Sequence, residues 1–331
     1  MTVPEYLIYL TESDVRQALT MAEAVDLAEA GIKADAAGQV AGDKFYMPVS
    51  DQGFIKPFSG YMQGEELAFF KTFSFFPRNP TQIGYPTTSS VVLLFEAATG
   101  LPVCLMEANY VTALKTGAST AVTAFFLARG GASTVTIFGA GTQGRLHLRG
   151  LCNRLALDRA YVIDVLPQAA EQFAAELGPE LELAVEPVAL EDRERAVRQS
   201  DVIVTVTTGD QALVEYDWLR KGAFVAKLGS YQEVALDVIT RADKVVVDNW
   251  RYVRPRIPEL ELLEKERQYG QEEIHGEWPD IVAGRTAGRE SEEEIIVYIA
   301  LGIWGEYAAI LPEVYQRALA KGLGQRLLRT I

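Results

Sequence analysis

Val135-Thr136-Ile137-Phe138-Gly139-Ala140-Gly141-Thr142-Gln143-Gly144 reads as an apolar strand followed by G-x-G-x-x-G, and the run Arg145-Leu146-His147-Leu148 after it opens an amphipathic helix. A buried parallel strand would deliver the chain to a tight turn whose glycines lack a Cβ, so the backbone can touch a pyrophosphate at a helix N-terminus. Ala160-Tyr161-Val162-Ile163-Asp164 has the form of the next strand and ends in an acid 25 residues beyond Gly139, about the spacing of a carboxylate that binds ribose hydroxyls. Strand, turn, helix and acid together predict a dinucleotide site. Its expected contacts are Gly139, Gly141 and Gly144, with Thr142 and Gln143 beside the pyrophosphate and Asp164 on the ribose.

Asp164 also bears on which dinucleotide binds. A carboxylate there repels a 2′-phosphate, and Val165-Leu166-Pro167-Gln168 brings no arginine or lysine to accommodate one, so NAD is expected over NADP.

Beyond the glycine turn, strand and helix patterns alternate. Val202–Val206 ends in Thr207-Thr208-Gly209, Ala223–Leu228 in Gly229-Ser230, and Lys244–Val247 in Asp248-Asn249. This is the rhythm of a doubly wound parallel sheet with its loops at the carboxyl edge, an α/β Rossmann-type fold. Thr207, Thr208, Gly209 and Gly229 are therefore expected to line the cofactor. Upstream, Thr11-Glu12-Ser13-Asp14 with Val15, Leu19, Ala22 and Val25 at helical spacing predicts one helix of about two dozen residues. Residues 45–103 hold short β-rich runs, Leu67–Phe76 and Ser89–Phe95 among them, broken by glycines and prolines, and Thr112–Ala128 returns to a helical pattern. Gly130-Gly131 is the expected domain boundary. The acidic Glu259–Glu273 stretch is expected to be a solvated helix or loop.

Composition narrows the chemistry. The 331 residues are 49% hydrophobic and 23% charged, enough for a full core and more than one domain. A net charge of −14 opposes nucleic acid and anionic lipid. No apolar run is long enough to span a membrane, and the first residues lack a signal-peptide layout, so a cytoplasmic location is expected. Cys104 and Cys152 suit reduced thiols better than a disulfide. The only histidines are His147 and His275, so there is no metal motif, and no serine elbow suggests a hydrolase. Cofactor, lysine, arginine and carboxylate remain.

A second set of landmarks carries a resemblance. Lys71, Phe76-Pro77-Arg78-Asn79, Gly84, Pro86-Thr87, Val91–Phe95, Thr99-Gly100-Leu101-Pro102 and Leu114-Lys115-Thr116-Gly117-Ala118 follow in the order and spacing of the ornithine cyclodeaminase and mu-crystallin family. The likeness continues through the glycine turn, Val282-Ala283-Gly284-Arg285 and Gly288-Arg289 to the last helices around Gly302, so it covers most of the chain. It implies a Rossmann domain (residues 130–297) inserted in a split α+β substrate-binding and dimerisation domain (residues 1–129, continued by C-terminal helices in 298–331). A homodimer acting on a small amino or imino acid is expected. Asp248 and Arg289 also match family landmarks.

By the same resemblance Lys44, Lys71 and Lys115 are the cations that hold the substrate carboxylate, where fixed charge orients the α-carbon. The family more often has arginine at the positions of Lys44 and Lys115, and a lysine replaces its two parallel bonds with a point charge. The substrate therefore differs, or Arg78 or Lys56 assists. Lys71 stands among Phe69, Phe70, Phe73, Phe75 and Phe76, an apolar setting that would depress its pKa and suit it to proton transfer.

Ornithine cyclodeaminases also carry Gly-Gly-Asp after the strand corresponding to Ala223–Leu228, and that aspartate is thought to bind the substrate amine. Here the chain reads Gly229-Ser230-Tyr231-Gln232-Glu233 and is shorter, leaving Glu233 as the candidate replacement. Relatives with reductase activity lack the aspartate too. The reading is an NAD-dependent oxidoreductase of the ketimine-reductase or amino-acid-dehydrogenase type. The alternatives are an ammonia lyase using NAD catalytically, and a nucleotide-dependent small-ligand-binding protein without turnover.

Overall fold

Two capping boxes stand nine residues apart near the start of the first unit. The side chains of Thr11 and Thr20 accept from the backbone N–H groups of Asp14 and Glu23, and those acids accept in return from the threonine backbone. The single helix expected from Thr11 onward is accordingly two, Glu12–Ala18 and Met21–Ala36, with Leu19 and Thr20 both extended. The computed structural model describes residues 5–50, 53–266 and 269–328. They divide into two compact units, one running to Lys115 and resuming at Trp304, the other Thr116–Ile303. The division falls inside the helix Asn109–Leu127, not at Gly130-Gly131, because the later turns of that helix pack within the second unit: a Cβ on Gly117 would lie 2.5 Å from the Leu146 carbonyl oxygen.

In the first unit β1 (Tyr6–Leu10), β2 (Val40–Lys44), β3 (Met47–Ser50), β4 (Gly53–Met62), β5 (Leu67–Phe75), β6 (Thr88–Glu96) and β7 (Pro102–Glu107) form one sheet in the order β1-β7-β6-β5-β4-β2, with β3 paired to β4. Only β1 and β7 run parallel. Residues directly opposite on paired strands share a face. Lys44, Phe58, Lys71, Val92 and Met106 are such a row, and all are buried.

The second unit contains β8 (Thr134–Phe138), β9 (Arg159–Ile163), β10 (Ala184–Val188), β11 (Val202–Thr205), β12 (Phe224–Lys227), β13 (Lys244–Val247), β14 (Gly276–Glu277) and β15 (Ile296–Ile299). Their order is β10-β9-β8-β11-β12-β15-β13-β14, all parallel. Every residue of β11, β12, β13 and β15 is buried, which is why these strands read as apolar runs without polar alternation, broken only at their ends by Thr205, Lys227 and Lys244. From β8 the chain winds one way to β9 and β10 and the other way to β11 and β12. The crevice at the carboxyl ends of β8 and β11 is the place where such sheets bind ligands.

The chain then returns to the first unit as the helix Trp304–Ala320 and β16 (Gln325–Leu328), which pairs antiparallel with β1. That helix packs on β2, β4 and β5 and on the helix Met21–Ala36, covering the face that carries Lys71. Among the described residues no helix is long and apolar enough to cross a membrane. Cys104 and Cys152 are both free, with burial raising their pKa values to about 12 and about 11.

Candidate active site

The first unit gathers lysines around three aromatic rings. Lys44 Nζ lies 5.1 Å from the centroid of Phe58, Lys56 Nζ 5.3 Å from that of Phe73, and Lys71 Nζ 5.2 Å from both Phe73 and Tyr307. Lys115 Nζ lies 4.9 Å from Tyr307 and pairs with Glu306, both side chains being almost fully buried. Lys44, Lys71 and Lys115, expected together from the resemblance, thus belong to one aromatic-lined cluster. Of the two further cations considered, Lys56 joins it, while Arg78 is exposed at the start of the helix Asn79–Ile83. Glu306 and Tyr307 were not anticipated.

Lys71 is 1% exposed, and its nearest polar partner is the Ser90 hydroxyl at 3.4 Å. It makes no ion pair among the described residues. Burying an unpaired ammonium costs several kcal/mol, whereas a desolvated contact with an aromatic face returns about 2 kcal/mol, so desolvation wins. Burial first, then the charges of Lys56 and Lys115, holds the Lys71 pKa well below 10.5. The nitrogen is therefore poised to give and take a proton, and a carboxylate arriving beside it would favour the ammonium form.

In the second unit the glycine turn follows β8, and its three glycines are required for different reasons. Gly139 has φ +109, and a Cβ there would also lie 2.8 Å from the Val206 carbonyl oxygen. Gly144 sits so close beneath the turn that a Cβ would meet the Gly139 carbonyl oxygen at 2.0 Å. Gly141 has nothing within 4 Å of its Cβ position. The fold itself does not need glycine there, and the absence of a Cβ leaves room for a ligand to approach the backbone. Gly141 is also the N-cap of the helix Thr142–Arg154, and no side chain caps it, which leaves the first-turn amides at Thr142 and Gln143 available to an anion. Gln143 Oε1 is buried without a hydrogen-bond partner, as a group reserved for a ligand would be.

Asp164 follows β9. Its Oδ2 accepts from the Ala140 N–H at 2.8 Å and its Oδ1 from the Leu166 N–H at 3.0 Å. Each oxygen keeps a second lone pair for a ribose hydroxyl, so the carboxylate braces the turn and remains a receptor. Arg145, whose guanidinium donates to the Ala140 carbonyl, is paired with Glu176 at 2.8 Å. These residues fit a dinucleotide without a 2′-phosphate.

Glu233 corrects the expectation that it replaces the missing aspartate. It is fully buried and accepts four hydrogen bonds, from Thr205 Oγ1 (2.9 Å), the Thr207 N–H (2.7 Å), Thr207 Oγ1 (2.8 Å) and the Gly229 N–H (2.8 Å). No lone pair is left over for a substrate amine. Gly229 and Thr207, expected on the cofactor, face this carboxylate: a Cβ on Gly229 would come within 2.4 Å of it. Thr208 and Gly209 lie exposed in the loop beyond Thr207. Glu259 likewise departs from the solvated acidic stretch expected around it. It is 1% exposed, accepts the Glu233 N–H at 2.9 Å and lies 3.3 Å from Lys227 Nζ. A lysine on the buried strand β12 needs a buried acid, and that was the available signal.

Two further family landmarks hold backbone in place. Asp248 accepts from the backbone N–H groups of Asn249 and Leu301, and the Arg289 guanidinium donates to the carbonyls of Leu127, Gly222, Ser291 and Glu294.

The chain belongs to the ornithine cyclodeaminase/mu-crystallin family, whose profile matches residues 7–322. It is 31% identical over 253 residues to the N-((2S)-2-amino-2-carboxyethyl)-L-glutamate dehydrogenase of Staphylococcus aureus, covering 75% of this chain and 74% of that one. The structure of Thermococcus litoralis Delta(1)-pyrroline-2-carboxylate reductase in complex with NADH and L-proline superposes with a TM-score of 0.92 at 29% identity, covering 97% of this chain and all of the other. An archaeal alanine dehydrogenase dimer with bound NAD gives a TM-score of 0.90 at 26% identity, with 98% and 100% coverage.

Proposed function

We propose that this member of the family is an NAD-dependent oxidoreductase that interconverts a small amino acid and its imine, or reduces a cyclic ketimine carboxylate. The observation that carries the reading is Lys71, a buried lysine with a lowered pKa and no acidic partner among the described residues, in a chain that also builds a glycine turn open at Gly141 and braced by Asp164. The relatives' chemistry supports the same class, since one acts on an amino-acid derivative, one is a dehydrogenase of alanine and one holds NADH together with proline.

Lys71 pairs with the substrate carboxylate and carries the proton at nitrogen; Lys44, two strands away in the same row, and Lys115 complete the positive face. In the oxidative direction Lys71 Nζ would enter as the neutral amine and take the proton that the substrate amine gives up, and in reduction its ammonium would return that proton to the imine nitrogen. NAD supplies the hydride acceptor and NADH the donor. Gly139, Gly141, Gly144, Thr142 and Gln143 hold the pyrophosphate, Asp164 the ribose, and the Thr207–Gly209 and Gly229 loops the edge beyond. Ammonia release without net redox change loses its support here because Glu233 is committed internally.

The second copy expected by the resemblance fits the sheet face opposite Lys71. Phe70 and Val91 are exposed there beside half-buried Ile55, Leu93 and Leu105, an apolar surface suited to self-pairing about a two-fold axis. Two free cysteines suit a reducing compartment, and we place the enzyme in the cytoplasm.

A panel of amino acids and cyclic imines, followed by nicotinamide absorbance with ammonia assayed alongside, tests the reading. Absorbance changing in proportion to substrate is expected. Ammonia appearing at constant absorbance would establish the lyase, and nucleotide bound without any turnover would establish the binding protein.

A further inference from the structure

The Glu233 carboxylate joins two loops at the carboxyl edge of the parallel sheet. On one side it takes Thr205 Oγ1 and both donors of Thr207, at and just beyond the end of β11; on the other it takes the Gly229 N–H, just beyond β12. Two of the four donors are backbone amides, which cannot accept and so favour the ionised acid, against the burial that raises its pKa. Lys227 supplies the compensating charge: its Nζ donates to the Gly229 carbonyl at 2.8 Å and lies 3.3 Å from Glu259. Glu259 in turn accepts the backbone N–H groups of Glu233 and Val234, which fixes the segment bearing Glu233. Glu233, Lys227 and Glu259 are each 1% exposed or less. Such a network gives no advantage over apolar packing for stability alone.

We propose that Glu233 is a positioning residue for the nicotinamide ring of the bound dinucleotide, acting through the Thr207 and Gly229 loops that it ties together. The inference rests on the nucleotide reading above. The sheet order places Asp164, after β9, three strand steps from Gly229, after β12, or about 14 Å at ~4.8 Å per step. A dinucleotide lying across the switch point with its adenosine ribose at Asp164 therefore extends its other half toward the β11 and β12 loops. Glu233 governs the backbone at that far end only. The adenosine end is set by Gly139, Ala140 and Asp164, none of which Glu233 touches.

The test compares two ligands on one variant. Glu233→Gln keeps the size of the side chain but turns an NH₂ group toward donors, so at least one of the four bonds must be lost. Affinities for NADH and for ADP-ribose, which lacks the nicotinamide, are measured on parent and variant by titration calorimetry. NADH affinity is expected to fall tenfold or more while ADP-ribose affinity stays within twofold. A smaller NADH loss overturns the proposal, and so does a larger loss of ADP-ribose affinity, which would mark Glu233 as a general support of the domain. Should Glu233→Gln fail to fold, Thr205→Val removes one donor at nearly constant shape. It should weaken NADH at least threefold and leave ADP-ribose within twofold, with any other pattern counting against the proposal. Failure of the unmodified protein to bind ADP-ribose would instead sink the nucleotide reading itself.

Discussion

Lys71 Nζ lies 5.2 Å from the centroid of the Tyr307 ring, contributed by a helix more than two hundred residues further along the chain. Lys115 approaches the same ring at 4.9 Å and pairs with Glu306. The two lysines therefore differ in kind: Lys115 has a buried acidic partner, whereas Lys71 has none among the described residues and burial lowers its pKa.

That difference has a pH signature. Folding lowers the Lys71 pKa, so between its folded value and 10.5 the unfolded chain binds the extra proton, and stability rises with pH across that window; below the window the full penalty is present. Lys71→Met lacks this dependence. The thermal midpoint of the methionine variant, minus that of the parent, is predicted to shrink as pH rises. A difference independent of pH would mean that Lys71 is not held neutral by its surroundings.

Gly141 and Gly144 are predicted to separate binding from folding. Gly141→Val meets no protein atom within 4 Å at its Cβ and should fold with a thermal midpoint close to the parent's, yet lose nucleotide because the branched side chain fills the approach. Gly144→Ala meets the Gly139 carbonyl oxygen at 2.0 Å and should instead lower stability outright. Unchanged NADH affinity in Gly141→Val would remove the turn as the pyrophosphate site.

Asp164→Ala should weaken NADH by about 1–3 kcal/mol through unpaired sugar hydroxyls and narrow the preference over NADPH. The same substitution releases the Ala140 and Leu166 N–H groups, so part of the loss comes from the turn. A parent protein that prefers NADPH would reverse the cofactor assignment.

Much of this was legible in the sequence. The second unit declared itself because strands buried on both faces read as mostly apolar runs followed by turn residues, as Val202–Thr205 and Phe224–Lys227 are. Lys71 stood out because its strand neighbours are phenylalanines. Partners far along the chain were not legible: Glu306 is 191 residues from Lys115, and nothing local marks it as the acid that meets that lysine. Glu233 was misread because a single carboxylate in a loop looks the same facing solvent or four buried donors. The break at Thr20 was written in plain view, since Thr20 and Glu23 form a capping box, but the helical spacing running through it masked the stop.

The open sheet face gives a prediction about assembly. Val91 is 43% exposed beside Phe70, and Val91→Arg would place a charge in the middle of the apolar patch. Sedimentation should show a dimer for the parent and a monomer for the variant. A parent that sediments as a monomer at micromolar concentration would remove the self-pairing interface.

The role of Lys71 is the centre of the account, and Lys71→Met tests it most directly. Methionine preserves most of the apolar stem among Phe58, Phe73 and Tyr307, so the surrounding packing should survive. With NADH affinity measured alongside, kcat/KM is predicted to fall by on the order of 10³ or more, through lower kcat and higher KM together, while NADH binds as in the parent. A methionine variant that turns over substrate within about threefold of the parent, well inside the ~10²-fold that losing a general acid–base removes, would contradict it.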